Sequence, residues 1–306
     1  MKKTMNLLLT FMVATAIAGC ASNTDSGISD LTAQNVKNAD ENASEDIISS
    51  EVTDDTEWTV IFEDDFEGPS SVPDQDKWVL CERSKSTWAR YLSESYDQAY
   101  QKDGSLYLVG ELVDGEYKTG GIETRGKFDF QYGKVECRAR FLRRPQGNHT
   151  GIWMMPAPPA EQWPKSGEID IMEHLNNESL IYETIHSWYS DDMGHKDDPR
   201  SQNEVTVNAE DWNTYGIIWT SESITFTVNG EEHFIYSNLH LDGDNAQWQW
   251  PFDHPFYIIL SQSLGGKDTW EGEIVDSELP AIFEIDWIKV MKDASSEGSG
   301  VPQIRM

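Results

Sequence analysis

Three carboxylates, Glu168, Asp170 and Glu173, fall within one short apolar stretch, SGEIDIMEH over residues 166–174. Carboxylates are costly to bury among apolar side chains, so their presence here indicates chemistry. The alternation of acidic and apolar residues predicts a β-strand with the first two carboxylates on one face. Strict alternation would turn Glu173 to the apolar face, and we expect a one-residue bulge near Met172 to restore it.

The spacing of the two glutamates suits chemistry at a glycosidic bond. Four effective strand steps of about 3.3 Å separate their Cα atoms by roughly 13 Å. Side chains that lean inward could bring the carboxyl groups to the separation of about 5–5.5 Å that a retaining glycosidase needs, whereas an inverting enzyme needs room for a water between them. The other interpretation is a strand with incidental acids on a solvated edge.

The motif Glu-Ile-Asp-Ile-Met-Glu over residues 168–173 resembles the signature of glycoside hydrolase family 16, in the bulged form found in laminarinases and agarases. The resemblance implies an all-β fold, a curved two-sheet β-sandwich (jelly roll) with an open substrate cleft on its concave face. It extends over about residues 58 to 292 through Ile152-Trp153-Met154-Met155-Pro156, Trp163-Pro164, Gly121 to Phe128, Tyr132 to Glu136, Pro255 to Leu260, Gly265-Gly266 and Asp286 to Val290.

The resemblance also implies a role for each carboxylate: Glu168 as nucleophile, Asp170 as its neighbour and Glu173 as general acid/base. We expect Glu168 to be ionised, so that it can form a glycosyl-enzyme intermediate. Glu173 must start protonated, and we expect the two nearby anions to raise its pKa. His186, on the strand expected beside the motif, is predicted to contact the acids or to be satisfied elsewhere in the cleft. No cofactor is expected for catalysis.

Aromatic side chains are candidates for sugar-binding platforms, because sugar rings present flat C–H faces that stack on them. The chain contains 12 tryptophans, so only some can serve in this way. Trp219 reads as a core residue in a strand. The candidates for substrate binding, in order, are Trp153 and Trp163, then Trp188 and Trp270, and then Trp88 and Tyr91.

Two further features concern the stability of the domain. Asp286, with backbone oxygens near Glu63 and Gly68, is a candidate for a structural calcium site of the kind that family 16 proteins often hold, since calcium prefers oxygen ligands. Cys81 and Cys137 could form a disulfide in an oxidising compartment. Cys137 could equally be a small core residue, because it shares a strand face with apolar neighbours.

The N-terminus has the pattern of a bacterial lipoprotein signal. Lys2 and Lys3 precede an apolar run from Leu7 to Ile17, and small residues lead to Cys20. We expect a signal peptide over residues 1–19, cleavage before Cys20 and a lipid on its thiol; the alternative is an ordinary secretory signal with a chance cysteine. The run is too short for a membrane span. The expected location is the bacterial cell envelope, by default the outer membrane or the cell surface.

Composition divides the rest of the chain into a tether, a body and a tail. Residues 20–57 are polar and acidic and predict a flexible tether, and residues 294–306 predict a flexible tail. Residues 58–293 are rich in Trp and Tyr, contain no internal repeat and predict one catalytic domain and a monomer. The formal charge of −31 argues against nucleic acid as a partner. It also disfavours sulfated or uronic polysaccharides unless a local basic cluster overrides it.

The expected partner is a polysaccharide or glycan. Our first expectation is a retaining endo-acting hydrolase that cleaves internal linkages of a β-1,3- or mixed β-1,3/1,4-glucan. The alternative is an endo-β-galactosidase on agar-like polymers or mucin-type O-glycans, since residues 87–98 and 260–262 depart from the laminarinase pattern where sugar-binding loops would lie. A non-catalytic, surface glycan-binding lipoprotein is a remote third, and the intact acid trio argues against it.

Overall fold

The computed structural model describes residues 56–294. The predictions for the signal peptide over residues 1–19, for Cys20 and for most of the tether and tail lie outside the described residues. Within residues 56–294, no helix is both long and apolar enough to cross a membrane.

Strands are the main secondary structure of the described part, because β-branched and aromatic residues alternate with polar ones along it. Two short α-helices, α1 (Trp188–Asp191) and α2 (Asp244–Gln249), and one 3₁₀ turn (Asp276–Glu278) interrupt the strands. The strands are β1 (Trp58–Asp64), β2 (Val79–Leu80), β3 (Ala99–Lys102), β4 (Ser105–Val113), β5 (Glu116–Thr119), β6 (Gly121–Glu123), β7 (Gly133–Arg143), β8 (Asn148–Pro156), β9 (Glu168–Leu175), β10 (Leu180–His186), β11 (Gln202–Thr206), β12 (Asn213–Trp219), β13 (Ser223–Val228), β14 (Glu231–Ser237), β15 (Phe256–Leu264) and β16 (Ala281–Asp293).

These strands form two antiparallel sheets. The nine-stranded sheet has the order β14-β13-β12-β7-β16-β4-β3, with β1 paired to β16 and β5 to β4. The seven-stranded sheet has the order β11-β10-β9-β8-β15-β6-β2, so β9, which carries the three carboxylates, lies inside the sheet. The predicted all-β, two-sheet jelly roll is therefore confirmed.

The core lies between the two sheets and follows from the alternation of each strand. Along β7, every second residue from Val135 to Phe141 is buried. These side chains join one hydrophobic cluster with residues of the seven-stranded sheet, including Ile169, Ile185 and Ile258. Full burial of such a side chain contributes about 1.5–3 kcal/mol. This packing fixes one face of β9 as core and leaves the opposite face for the carboxylates.

A bulge in β9 places all three carboxylates on that opposite face. Two adjacent residues of β8 pair with Asp170 and Met172, so β9 carries one extra residue between them. On the other side of β9, Thr184 of β10 pairs with Asp170, and Tyr182 pairs with Glu173. The two partners are two residues apart in β10, whereas Asp170 and Glu173 are three residues apart in β9, so the extra residue is again in β9. Ile171 and Met172 consequently both point into the core, at 1% and 0% exposure. The predicted bulge near Met172 is confirmed, and Glu173 returns to the face of Glu168.

The two body cysteines do not form the disulfide that the sequence allowed. Cys81 and Cys137 are both buried and free. They belong to different hydrophobic clusters: Cys137 lies between the sheets, and Cys81 packs with Trp153 and Tyr257 on the face of the carboxylates. Of the two possibilities that the sequence left open, the disulfide is not formed, and the interpretation of Cys137 as a small core residue is confirmed.

Gly167 sets the entry of the chain into β9. Its φ of +81° lies in the left-handed region, which residues that have a Cβ adopt only at a cost in conformational energy. A Cβ built on Gly167 would lie 2.6 Å from Cε1 of Phe252, whose ring is part of the core. The glycine is therefore required both for the turn and for the close approach of the core to the residue before Glu168.

Replacement of this glycine tests that requirement. Gly167→Ala should lower the free energy of unfolding, measured by urea titration, by about 1–3 kcal/mol more than Gly194→Ala does. Gly194 is a matched control because its φ is also +81° but nothing lies within 4 Å of its built Cβ. Both variants bear the left-handed strain of about 1–2 kcal/mol, and only Gly167→Ala adds the clash. Equal losses would show that the contact with Phe252 relaxes at no cost.

Glu183 is a buried carboxyl that faces away from the cleft. It lies on β10 between two cleft-facing residues, at 0% exposure. Asn203 Nδ2 donates to its Oε2 at 2.9 Å, while Oε1 finds no hydrogen-bond partner among the described residues. Burial raises the pKa of Glu183 to about 7, against the opposing effects of Asn203 and Arg200. The ionised form is thus disfavoured in the folded protein.

The raised pKa of Glu183 predicts a pH-dependent stability. Between pH 4.5 and about 7 the folded protein holds a proton that the unfolded chain has released, so the free energy of unfolding falls across this window and levels off above it. Glu183→Gln should abolish this fall in the free energy of unfolding, because the amide does not ionise. Urea titrations at several pH values should show the variant gaining about 1–3 kcal/mol relative to wild type above the window and little below it. A difference that does not change with pH would contradict the burial effect.

Candidate active site

The cleft face of three neighbouring strands surrounds the carboxylates. On β10, His186 pairs in register with Glu168, and Thr184 pairs with Asp170. On β8, Gly151 pairs with Glu173. Because cross-strand partners have Cβ atoms about 5 Å apart, each carboxylate lies within reach of side chains from both neighbours. The register of the seven-stranded sheet therefore assembles the site.

Glu168 is held by an exposed tryptophan. The indole Nε1 of Trp163 donates a hydrogen bond of 2.6 Å to Glu168 Oε2, and the Trp163 ring lies 5.6 Å from the ring of His186. Burial raises the pKa of Glu168, and the charge of Glu173 adds to this effect, while His186 and the Trp163 hydrogen bond act in the opposite direction. The donor from Trp163 favours the charged carboxylate that a nucleophile needs.

Asp170 is buried between the two glutamates. Burial, followed by the charges of Glu168 and Glu173, raises its pKa well above the ordinary range. A hydrogen bond between Asp170 and Glu168 raises the pKa of Asp170 and lowers that of Glu168. The raised pKa of Asp170 favours its protonated form, because three anions this close together are disfavoured.

His186 supplies a positive charge to this side of the site. Its Nε2 lies 3.3 Å from Asp170 Oδ2, and its Nδ1 lies 3.2 Å from both carboxylate oxygens of Asp191 on α1. Burial opposes the charged ring, but the hydrogen bond to Asp191 and the charge of Glu168 outweigh it and raise the pKa to about 9. The structure thus brings His186 into contact with the acids, and the imidazolium is the expected form at neutral pH.

Glu173 has different partners from the other two carboxylates. His149 Nε2 lies 3.0 Å from Glu173 Oε1, and the hydroxyl of Thr184 donates to Oε2 at 3.1 Å. Burial alone would raise the pKa of Glu173, but the hydrogen bond and charge of His149, together with His186, lower it. The expectation that neighbouring anions raise this pKa was therefore wrong for the substrate-free protein. The cause is a cation that the motif does not contain.

His149 is the residue of the site that the sequence reasoning missed. It lies on β8, four residues before Trp153. A signal was present, since 149, 151 and 153 have the same parity in a strand and must share the cleft face. Only the pairing of β8 with β9, however, places that face beside Glu173.

Two of the predicted aromatic residues form the floor beside the carboxylates. Trp153 lines the same pocket as the three acids, and its Nε1 donates to Ser261 Oγ at 3.0 Å. Trp153 is only 7% exposed, so it forms part of the base of the pocket and does not project into the cleft. Trp88 packs edge-on against Trp153, with ring centroids 4.8 Å apart, and also lines the pocket.

Two others project beside opposite ends of the acid trio. Trp163, 49% exposed, lies at Glu168, as described above. Trp270, 53% exposed, packs edge-on against Tyr182 at 4.7 Å, and its ring centroid is 6.1 Å from that of His149, the partner of Glu173. Large exposed rings at these places are suited to stack on sugars.

Trp188 and Tyr91 lie further from the acids. Trp188 begins α1, directly after the segment of His186, and the Lys165 ammonium lies 4.9 Å from its ring centroid and 5.2 Å from that of Trp248. Tyr91 packs edge-on against Tyr117 of β5, at 5.2 Å. The structure therefore does not bring Tyr91 to the carboxylates, because the segment after Trp88 turns toward the edge of the other sheet.

The predicted calcium ligand does not fit a calcium site. Asp286 pairs with the guanidinium of Arg138, and the backbone oxygen of Glu63 accepts a hydrogen bond of 2.7 Å from Lys77 Nζ. Protein cations thus already neutralise the oxygens that calcium would require.

One other group of described residues brings potential metal ligands together. Glu168, Asp170 and His186 each place one such atom within 4.8 Å of the others. A protonated imidazole cannot bind a metal, and His186 is expected to be protonated, so this group is better explained by the acid chemistry of the site.

Comparisons with known proteins identify the family of this chain. The sequence matches the family Glycosyl hydrolases family 16 over residues 86–289. A keratan-sulfate endo-1,4-beta-galactosidase from Sphingobacterium multivorum is 34% identical over 300 residues, which are 95% of this chain and 68% of that protein. A beta-glucanase from Rhodothermus marinus is 31% identical over 251 residues, 77% of this chain and 85% of that protein.

A solved structure is also similar to this chain. It belongs to work on the endo-acting O-glycanases that members of the human gut microbiota express to initiate mucin breakdown, and it superposes with a TM-score of 0.69 at 33% identity, covering 76% of this chain and 98% of that one. Because the match over residues 86–289 includes every strand that carries a carboxylate or its partner, the chain belongs to glycosyl hydrolases family 16.

Proposed function

We propose that this protein is a retaining endo-β-galactosidase that hydrolyses internal linkages of a galactose-containing glycan of the keratan or mucin type. The observation that carries the glycosidase reaction is the placement of Glu168, Asp170 and Glu173 on one face of β9, each with its own set of partners. Two carboxyl groups with different environments can divide the roles of nucleophile and acid.

The reaction uses these environments in two steps. Glu168, ionised through its hydrogen bonds from Trp163 and Asp170, attacks the anomeric carbon and forms a glycosyl-enzyme ester. Glu173 gives a proton to the leaving glycosidic oxygen. In the second step, Glu173 takes a proton from the water that attacks the ester, and Glu168 leaves with its original charge.

The choice of a galactose-containing substrate rests on similarity and on one local charge. The relatives at 34% and 33% identity act on keratan sulfate and mucin, by their names. Lys165 offers a cation at the end of the site where Trp163 and Trp188 lie, and none of the described carboxylates lies within ion-pair distance of it. An acidic substituent on the glycan would suit this position despite the overall charge of −31.

A β-1,3- or mixed β-1,3/1,4-glucan is the second candidate substrate. It is supported by the beta-glucanase relative at 31% identity and by a laminarinase structure from Rhodothermus marinus with a TM-score of 0.68. The three carboxylates would perform the same two steps on either polysaccharide. Selection between the two substrates would therefore come from the loops and aromatic side chains around the carboxylates.

The place of action is also a proposal. A lipid on Cys20 would tether the domain through the acidic segment 20–57 to the cell envelope, most simply as a monomer in the outer membrane. An enzyme held at a membrane meets long glycans outside the cell and releases fragments there.

Replacing the nucleophile tests the assignment of Glu168. Glu168→Gln should reduce turnover by more than about 10⁴-fold, because the neutral amide cannot form the ester, while oligosaccharide affinity by calorimetry stays within about threefold. Glu183→Gln is the matched control: it neutralises a carboxyl of the adjacent strand that faces the core, and it should keep wild-type turnover. Wild-type rates in Glu168→Gln would remove Glu168 as nucleophile.

A product profile tests the substrate. The full chain is incubated with keratan sulfate, mucin O-glycans, mixed-linkage β-glucan and laminarin, and products are read by mass spectrometry and by ¹H NMR of the first-formed anomer. We expect oligosaccharides with galactose at the new reducing end, released in the β configuration. Release from the glucans alone would establish the second candidate, and an α anomer would exclude the retaining mechanism.

A further inference from the structure

His149 and Glu173 form a close pair at the site. The imidazole Nε2 is 3.0 Å from Glu173 Oε1, and the two side chains are only 20% and 13% exposed. Thr184 donates to the other oxygen of Glu173 at 3.1 Å. Both oxygens of this carboxylate thus have protein partners, and one of those partners can carry a proton.

The backbone and ring of His149 are held in place from several sides. Gln262 Nε2 and Ser263 Oγ, both on β15, donate to the carbonyl of His149 at 3.3 and 3.0 Å. The ring faces Trp270 from the loop after β15. With the backbone held at this point, the contact of Nε2 with Glu173 Oε1 directs the ring at one acceptor, which is what a proton-holding group requires.

The charged groups around the ring favour its protonated form. Burial disfavours the imidazolium, but the hydrogen bond and charge of Glu173, followed by Glu271 and Glu168, outweigh it and raise the pKa of His149. On the opposite face of β9, burial lowers the pKa of His174 to about 4, so that ring is neutral at pH 7 and adds no competing charge. The contact and the surrounding charges therefore favour the form of the pair in which His149 is an imidazolium and Glu173 a carboxylate.

We propose that His149 is the positioning residue of the general acid: it stores the proton that Glu173 delivers to the leaving glycosidic oxygen. This inference rests on the proposed function. As Glu168 bonds to the anomeric carbon and the glycosidic C–O bond breaks, the proton moves from Nε2 to the Glu173 carboxyl and on to the leaving oxygen. His149 is then neutral and Glu173 remains ionised. When water attacks the ester, its proton passes to Glu173 and back to Nε2, while the bond to Glu168 breaks.

The proposal predicts how activity depends on the leaving group. His149→Gln keeps an N–H donor but cannot store a proton. On the glycan that wild type cuts, its kcat should fall by about 10²-fold with KM within about threefold. On a 2,4-dinitrophenyl glycoside of the same oligosaccharide, which leaves without protonation, kcat/KM, which reports only the step that forms the ester, should stay near wild type. Equal losses on the two substrates, or no loss on the glycan, would overturn the proposal.

The pH profile gives a second readout that a purely structural role would not change. In wild type, the required proton is lost as the pH rises through the raised pKa of His149. In His149→Gln, the proton must be held by Glu173 alone, and a carboxyl ordinarily has a lower pKa than an imidazole, so the alkaline limb should move to lower pH. An unmoved limb would contradict the proton store. His195→Gln is the matched control, since His195 is exposed and stacks on Tyr189, and its profile should match wild type.

An NMR titration separates this inference from the proposed function, because it needs no substrate. The His149 imidazole should titrate above the ordinary value near 6.5, and Glu173→Gln should lower its pKa by removing the negative partner. An unchanged titration in Glu173→Gln would overturn the inference even if the glycan is cut. A wild type that cuts no glycan would remove the proposed function, and the catalytic role of His149 with it.

Discussion

The concentration of negative charge on one face of β9 is the constraint on which the rest of the site depends. Three carboxylates within six residues repel one another, and each loses hydration on burial. The other face of the same strand must supply core side chains, so both demands fall on one short segment. The extra residue in β9 reconciles them, because it turns two consecutive apolar residues inward and returns Glu173 to its neighbours.

Charge compensation comes from the strands on both sides of β9. β10 contributes His186, which contacts Asp170 and is itself held by Asp191, and β8 contributes His149, which contacts Glu173. The raised pKa of Asp170 favours its neutral form, which reduces the remaining repulsion. The two histidines therefore give the two ends of the trio different surroundings, which is the division that the proposed roles of nucleophile and general acid require. Although the net charge of the chain is −31, these nearby cations have the larger effect on the pKa values of the carboxylates, because electrostatic interactions weaken with distance.

The sequence predicts those features that depend on local order along the chain. The strand, its bulge and the common face of the three carboxylates follow from alternation and from the residue types at 168–173, and the structure has all of them. His149, the position of Tyr91 and the pairing of Asp286 with Arg138 were not predicted correctly. Each depends on which strand or loop lies beside another, and no local pattern contains that register. The pKa of Glu173 was wrong for the same reason, since its sign depends on a cross-strand cation.

The carboxylates of β9 act on the bond between two sugars, so discrimination between sugars under the proposed function would come from the surroundings of the trio. Opposite Glu173, β8 and β15 present Gly151 and Ser261, which leave the floor low, and Trp153 is tied to that serine. Trp88 reaches this floor from a loop that Arg90 fastens to Asp268 in the loop of Trp270. A change in either loop is therefore expected to shift Trp88, which packs on Trp153, together with Trp270. Because galactose and glucose differ only in the direction of one hydroxyl, the proposed preference for galactose would have to arise in these two loops, since β9 alone does not distinguish the two sugars.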